Sequence, residues 1–354
     1  MKEQNGSNIL SSLPEQIRNI ISNTAAALLI LMLLMLLYIG YRSIAARYSG
    51  TSEISYAMGT IFEIKVNGVN TGGHVKVALD KVKEISDLIN YYDEKSEVSA
   101  INNMAGISAV AVSHDTFDMI NKALKVCRQT GGTFDITIGP LFDIWNFNAK
   151  THTEVPSGNE LIYAQHLVNY NNVMINLRNE TIKLLYPGMK ISLGGSGKGY
   201  AISKARSILV ERGIKSAIIS AGSSIAVIGS NKGKPWKIGI KDPRRPDETV
   251  GVISLVGGQA VSTSGDYEKY FEIGGKRFHH ILDPGTDMPA DECMSVTIIS
   301  DDAMQADMLS TAVFVMGPKR GLDLVNSFKN VYAVIIDKDG NVISSPGLNL
   351  ERQL

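Results

Sequence analysis

Residues 191–200 read Ile-Ser-Leu-Gly-Gly-Ser-Gly-Lys-Gly-Tyr and run directly into a helical pattern at 199–212. Clustered glycines let backbone N–H groups approach a ligand closely, and a helix N-terminus adds partial positive charge. Lys198 adds a full charge, so the loop suits a phosphate. It is not a Walker A loop, because Ser192 replaces the first Gly, nor GxGxxG, because Tyr200 replaces the last Gly. Taken alone, the stretch is equally typical of a tight turn.

Outward from this loop, apolar periodicity predicts helices at 77–89, 116–130, 199–212 and about 302–317. Strand-like runs lie at 59–66, 216–219, 250–255, 296–299 and 331–336. The segment 231–247 is rich in Gly, Pro and charged residues and is predicted to be a turn-rich surface segment. Strands interspersed with helices predict an α+β or mixed α/β fold rather than a bundle or sandwich.

The N-terminal region contains an apolar run without a single charge at 19–41, flanked by Arg18 and Arg42. About 20 such residues suffice to span a bilayer as one helix. A signal peptide or a buried core helix are the alternatives, but a signal peptide starts nearer the N-terminus and ends in a small-residue cleavage site. We therefore expect an uncleaved transmembrane anchor, whose orientation the flanking charges do not decide.

Composition restricts the class of protein. The 354 residues have a formal net charge of +0 and are 44% hydrophobic and 20% charged, as in a globular protein with an added apolar segment. The neutral balance and the lack of basic patches predict no nucleic-acid partner. Cys127 and Cys293 have no CxxC neighbour, so a zinc site is not expected. We interpret them as small buried hydrophobes, although they could also form one disulfide.

Two further motifs carry chemistry. Asp307 and Thr311 are four residues apart in a predicted helix and therefore share one face. A carboxylate and a hydroxyl so placed can hold Mg²⁺ with substrate phosphates, or can simply form a polar helix face. His279 and His280 lie beside a strand-to-turn transition, where one of them can act as a general base. Adjacent strand residues point to opposite faces, so at most one of the two faces any given site.

The segment at 131–141 reads Gly-Gly-Thr-Phe-Asp-Ile-Thr-Ile-Gly-Pro-Leu. We expect its two glycines to close the preceding helix and Pro140 to end a strand. Thr133, Asp135 and Thr137 would then alternate onto one face, which is either a ligand-facing edge or the wet side of a half-buried strand.

Together these motifs resemble the ApbE family of FAD:protein FMN transferases from about residue 58 to residue 317. The resemblance is carried by MGT at 58–60, GGTFDITIGPL at 131–141, LGGSGKGY at 193–200, TSGDY at 263–267, HILDP at 280–284 and ADMLST at 306–311. It implies an enzyme that binds FAD and Mg²⁺. A Thr or Ser hydroxyl of an acceptor protein attacks the FMN-side phosphorus, and AMP leaves.

The resemblance also implies a role for each matching residue. His280 would be the base that deprotonates the acceptor hydroxyl. Mg²⁺ would be held by Asp307, Thr311 and the backbone carbonyl of Gly195. The FAD site would be lined by Met58, Tyr92, Thr133, Phe134, Asp135, Lys198 and Ile281.

Three positions depart from the family pattern. Ser192 and Ser203 stand where the family usually has Asp, and Ala-Gly-Ser-Ser at 221–224 replaces AGGN or AGGD. The change at Ser192 removes a negative charge from the presumed flavin pocket. Two other hypotheses therefore stay open: an Mg²⁺-dependent FAD pyrophosphatase that uses water as the acceptor, and a non-catalytic, membrane-tethered flavin-binding protein.

The resemblance also implies a location. Family members act outside the cytoplasm, often on flavin-carrying subunits of sodium-pumping or Rnf-type redox complexes. We therefore expect a single-pass membrane protein with an extracytoplasmic catalytic domain. It would comprise a tail at 1–18, the anchor at 19–41, a linker at 42–51 and an ApbE-like flavin transferase domain at 52–354.

Overall fold

The computed structural model describes residues 14–48, 50–68, 71–149, 151–152 and 154–351. The chain divides into two units, Met1–Gly50 and Thr51–Leu354. The described part of the first unit is mainly one helix, α1 (Glu15–Tyr48), whose apolar side chains such as Leu28 and Leu37 are exposed. Among the described residues, no helix combines the length and the hydropathy needed to cross a bilayer. The anchor predicted at 19–41 is therefore not confirmed.

The second unit is a mixture of helices and strands, as predicted. Its helices are α2 (Gly72–Ile89), α3 (Glu97–Asn103), α4 (His114–Gln129), α5 (Gly139–Trp145), α6 (Gly158–Gln165), α7 (Gly197–Glu211), α8 (Ala303–Met316) and α9 (Pro318–Asn326). The first strands are β1 (Gly50–Ala57), β2 (Thr60–Asn67), β3 (Val110–Ala111), β4 (Val173–Asn176), β5 (Thr181–Leu184), β6 (Ala217–Ala221), β7 (Ser224–Ile228) and β8 (Trp236–Lys241). The remaining strands are β9 (Thr249–Leu255), β10 (Ala260–Gly265), β11 (Tyr270–Ile273), β12 (Lys276–His279), β13 (Cys293–Ser300), β14 (Tyr332–Asp337) and β15 (Val342–Ser344).

An 8-stranded sheet in the order β1-β2-β6-β7-β10-β13-β14-β15 forms the centre of this unit. The pairs from β2 to β15 are antiparallel. Helices α2, α7 and α8 cover one face, where Val82, Leu209 and Leu309 are fully buried. The antiparallel β8–β9 hairpin covers part of the other face through Trp236 and Ile253. The predicted α+β class is thus confirmed.

A third apolar cluster fixes the backbone around residues 280–284. Trp145 at the end of α5 is buried against Phe278 and Leu282. Its indole Nε1 donates to the carbonyl of Asp287 at 2.9 Å, so its polar atom is satisfied in a buried position. Packing against Trp145 therefore fixes the position of the HILDP motif.

Two local predictions are wrong. Residues 133–137 form turns and bends rather than a strand, and Pro140 lies in the first turn of helix α5 instead of ending a strand. The cause is Asp135, whose Oδ1 accepts from the backbone N and the hydroxyl of Thr137, both at 2.7 Å. Such local bonds compete with strand pairing. The segment 231–247 is not turn throughout, because it contains strand β8. Cys127 and Cys293 are both free and buried, as one of the two interpretations predicted.

Candidate functional site

A cavity of about 630 Å³ opens beside the loop at 191–200. The β1–β2 turn, the end of α2, the turns at 131–138 and the starts of α7 and of the 280–284 segment contribute to its walls. All the predicted site residues line it: His280, Met58, Tyr92, Thr133, Phe134, Asp135, Lys198, Ile281, Gly195, Asp307 and Thr311. This volume is in the usual range for ligand and cofactor sites. The structure brings these residues together, and their individual roles remain predictions.

The glycine-rich loop is held in place from both sides. Ser192 N donates to the carbonyl of Ile136 at 2.7 Å, which fastens the loop to the turns at 131–138. Helix α7 begins at Gly197 and directs its N-terminus into the cavity together with Lys198. Gly199 has no room for a side chain, because an added Cβ would lie 2.4 Å from the carbonyl oxygen of Ala303. The glycine therefore permits close packing of α7 on α8.

Tyr200 closes the motif and points away from the cavity. Its ring is buried, and its hydroxyl donates to Asp115 Oδ1 at 2.9 Å, with Asp118 Oδ2 at 3.1 Å. Lys204 forms an ion pair with Asp115 at 2.9 Å and lies over the tyrosine ring. The start of α7 is thus linked to the N-terminal turn of α4.

Asp307 links three segments that are distant in sequence. It is only 4% exposed. Its Oδ2 accepts from Gly199 N at 2.9 Å, and its Oδ1 accepts from the hydroxyl of Ser262 at 3.0 Å. The Ser224 hydroxyl lies 3.4 Å from Oδ1 and 2.8 Å from Ser262 Oγ, to which it donates its single hydrogen. Helix α7, strand β7 and strand β10 therefore all converge on this carboxylate.

Thr311 lies one turn further along α8, on the same side as Asp307. Its hydroxyl is 3.3 Å from Ser264 Oγ. A Cβ added to Gly195 would lie 3.5 Å from Thr311 Oγ1 and 3.0 Å from Phe134, so the loop backbone passes close to both side chains. The three predicted metal ligands are thus collected on one wall, and all three offer hard oxygen atoms.

His280 and His279 face different surroundings, as the strand geometry predicts. His279 is buried; its Nε2 donates to the carbonyl of Ala290 at 2.8 Å, and its Nδ1 accepts from Ile281 N at 3.2 Å. Both of its ring nitrogens are therefore used in holding the backbone. His280 is half-buried and lines the cavity.

The tautomer of His280 follows from its contacts. Its Nδ1 lies 3.3 Å from the carbonyl of Lys269, which can only accept, so Nδ1 carries the hydrogen. Nε2 is then left with a free lone pair. Burial lowers the pKa of His280 to about 3, and the charge of Lys198 acts in the same direction. The imidazole is therefore neutral at physiological pH.

Asp135 is engaged within the protein. Besides its two bonds to Thr137, its Oδ2 accepts from Tyr170 N at 2.9 Å. Burial raises the pKa of Asp135, while the hydrogen bonds from Thr137 and Tyr170 act against that shift. These contacts shape the turns that present Thr133 and Phe134 to the cavity.

Met58 in the β1–β2 turn and Tyr92 after the end of α2 both line the cavity. Met58 has a φ of 51° and the following Gly59 a φ of 73°, so that the β1–β2 turn has positive φ at both central residues. Met58 N donates to Ser86 Oγ of α2 at 3.1 Å, which fixes the turn against this helix. Tyr92 is 69% exposed and stacks edge-on against Tyr91 at 5.2 Å. An exposed aromatic ring is thus available at the mouth of the site.

Sequence reasoning missed the serines that surround Asp307 and Thr311. Ser224 belongs to the departure at 221–224, and Ser262 and Ser264 lie in β10 next to or within TSGDY. The sequence signal that could have indicated them was a run of small hydroxyl residues in β10 that follows apolar residues of the same strand. Ser192, another of the three departures, lines the cavity, and its Oγ accepts from Gly194 N at 3.4 Å.

Comparisons with known proteins agree with the geometry. An FAD:protein FMN transferase of Klebsiella pneumoniae is 32% identical over 267 residues, covering 75% of this chain and 83% of that protein. One of Vibrio cholerae is 30% identical over 289 residues, covering 80% of this chain and 86% of that protein. The crystal structure of an ApbE protein of Thermotoga maritima superposes with a TM-score of 0.79 at 36% identity, covering 84% of this chain and 97% of its own. The model of the ApbE family matches residues 58–336, and the chain therefore belongs to the ApbE family.

Proposed function

We propose that the cavity transfers FMN from FAD to a Thr or Ser hydroxyl of an acceptor protein, with Mg²⁺ as cofactor and AMP as the leaving group. The chain is a flavin transferase, because its relatives are named FAD:protein FMN transferases and a superposing structure from Vibrio cholerae is named a flavin transferase. One observation carries the finer proposal. Oxygen donors, a cation at a helix N-terminus and an imidazole with a free nitrogen all line a single cavity.

Magnesium fits the oxygen donors on the α8 wall. Asp307, Thr311 and the carbonyl of Gly195 would hold it, and carboxylate oxygens with two lone pairs can accept a hydrogen bond and still bind a cation. In the described parts of the chain, no three His, Cys, Asp or Glu side chains are grouped so that they could hold a metal ion by themselves. The proposed site thus needs the phosphates of FAD as further ligands, as is common for Mg²⁺. When bound, the ion would neutralise charge on the phosphate oxygens.

The start of α7 supports binding of the pyrophosphate. Its backbone N–H groups and Lys198 lie on the cavity wall, and both favour an anion. In the transfer step, negative charge grows on the oxygens of the phosphoryl group and of the departing AMP. A fixed cation beside them stabilises the transition state more than the ground state.

His280 supports activation of the acceptor. The acceptor hydroxyl oxygen forms a bond to the FMN-side phosphorus, the bond from that phosphorus to the AMP phosphate oxygen breaks, and the hydroxyl proton passes to Nε2 of His280. The neutral imidazole is the form that this step needs. The hydrogen bond from Nδ1 to Lys269 orients the ring during the transfer.

We further propose that the transferase domain acts outside the cytoplasm at the cell membrane. The uncharged run at 19–41 and the row of exposed apolar side chains in α1, such as Leu28 and Leu37, support contact with an apolar environment. A reporter fused after residue 354 should score as extracytoplasmic. A cytoplasmic score would overturn this location.

The transferase assay uses the full chain with FAD, Mg²⁺ and a flavin-acceptor domain from a redox complex. The mass of the acceptor is then measured. A gain of one FMN, with release of AMP, is expected. Free FMN and AMP without a gain in acceptor mass would identify a pyrophosphatase instead, and intact FAD would identify a binding protein.

A further inference from the structure

A second cavity of about 280 Å³ adjoins the catalytic cavity. Gly222, Ser223, Thr263 and Glu268 line both cavities. The boundary between them is therefore the β6–β7 turn and the end of β10. No predicted site residue lines the second cavity.

The second cavity is a gap between the central sheet and the β8–β9 hairpin. Its floor is the outer face of the sheet, where Ile225 and Val261 are register partners and the hydroxyls of Thr263 and Thr297 bond at 2.8 Å. Its other wall is β8, including Ile238. The lining thus combines apolar side chains with hydroxyl groups and the charged residues Lys241 and Glu268.

The two strands of the hairpin differ in their outer edges. Val252 of β9 exchanges backbone hydrogen bonds with Glu351 at 2.9 and 3.0 Å, which covers that edge. Over the described ranges β8 pairs with β9 alone, and of the two strands only β8 lines the cavity. In an antiparallel ribbon, alternate residues direct N–H and C=O groups away from the partner strand. These backbone groups of β8 are therefore available to a further strand.

We propose that the acceptor polypeptide binds in extended form along β8, within the second cavity, and passes over the Gly222–Ser223 turn to present its hydroxyl to His280. This inference rests on the proposed transferase function. That function brings the acceptor to the catalytic cavity together with FAD, and the second cavity shares Gly222, Ser223, Thr263 and Glu268 with it. A strand edge above an apolar floor is the arrangement by which proteins bind extended peptides, with backbone bonds for affinity and pockets for alternate side chains.

The variant Ile238→Trp tests the inference by filling the second cavity without touching the first. With the full chain, FAD, Mg²⁺ and the flavin-acceptor domain of a redox complex, we expect the KM for the acceptor to rise by about tenfold or more. The Kd for FAD, measured by flavin fluorescence, should stay within about twofold of the wild-type value. An unchanged KM for the acceptor overturns the inference.

The matched control is Lys237→Trp, which places the same side chain at the neighbouring position of β8. Lys237 is exposed and does not line the cavity. Its substitution should leave the KM for the acceptor near the wild-type value. An equal rise in both variants would indicate a general effect on the hairpin and would overturn the inference.

A measurement on the wild-type chain does not depend on how the variants fold. Backbone amides of residues 236–241 should exchange hydrogen more slowly when the acceptor domain is added. Transfer without any added protection at β8 overturns this inference alone. An absence of transfer in the wild type overturns the proposed function and, with it, this inference.

Discussion

Replacing Asp307 with asparagine removes one negative charge from the cavity while keeping the shape of the side chain. The carboxylate accepts from Gly199 N at 2.9 Å and from Ser262 Oγ at 3.0 Å. An asparagine oxygen can accept from Gly199, and its NH₂ group can donate to Ser262, whose hydroxyl also accepts. Each partner stays satisfied. Because the remaining hydrogen bonds are to a neutral instead of a charged group, we expect the free energy of unfolding to fall by about 1 kcal/mol.

Catalysis should respond very differently from stability. A cation that neutralises phosphate charge contributes several kcal/mol to the transition state. A loss of about 3 kcal/mol corresponds to a fall in kcat/KM of about 100-fold. Asp307→Ala should lose as much activity, but it also leaves the buried N–H of Gly199 without a partner. That orphaned donor costs about 1–3 kcal/mol of stability.

The assay measures FMN gained by the acceptor, by intact-protein mass, across a series of Mg²⁺ concentrations. Urea unfolding of the wild type and both variants gives the free energies. An Asp307→Asn variant within about twofold of wild-type kcat/KM would refute the role of this carboxylate. Undiminished wild-type transfer in the presence of a chelator would refute the metal itself.

Three other substitutions test separate parts of the site. His280→Ala should lower kcat by about 10²–10⁴-fold with little change in FAD binding. Because burial lowers the pKa of His280 to about 3, kcat/KM of the wild type should not fall as the pH drops through about 6.5. A fall near that pH that disappears in the variant would contradict this. Gly199→Ala should cost about 1–3 kcal/mol of stability and weaken FAD binding, since its Cβ would lie 2.4 Å from the carbonyl oxygen of Ala303. An unchanged melting temperature and an unchanged Kd for FAD, measured by flavin fluorescence, would disprove the close packing. Met58→Gly should weaken FAD binding while changing the free energy of unfolding by no more than about 1 kcal/mol, because relief of the φ of 51° offsets the lost packing against the core and the greater entropy of the unfolded chain. A much larger drop in melting temperature would contradict the strain at this position.

The regular elements were predictable because their apolar periodicity is strong. In α4, Phe117, Ile120 and Leu124 repeat at helical spacing and are buried. The strand predicted from the alternation of Thr133, Asp135 and Thr137 did not form, because alternation in sequence does not show where Asp135 places its hydrogen bonds. Strand β8 was missed because flanking Gly, Pro and charged residues outweighed the period-two pattern of its three apolar residues.

The site was predictable where its residues form contiguous motifs. The part of the site that depends on the fold was not predictable, since the hydroxyls of Ser224 and Ser262 reach Asp307 from strands that are far away in sequence. Local sequence carries no information on which strands become neighbours in the sheet. The second cavity has the same origin, because its floor and its wall come from segments that meet only in the folded chain.

The contact between Tyr200 and Asp115 has a consequence for redesign of this protein. Asp115 lies at the start of α4 and does not line the catalytic cavity, and a charge-optimisation scheme would treat its ion pairs with Lys81 and Lys204 as a surface cluster. Yet the tyrosine that this carboxylate holds is the last residue of the glycine-rich loop. Replacing α4 by that of a relative, or changing the charges of this patch to improve solubility, would therefore alter catalysis without any substitution in the catalytic cavity. Surface engineering of this protein has to change α4 and the glycine-rich loop together.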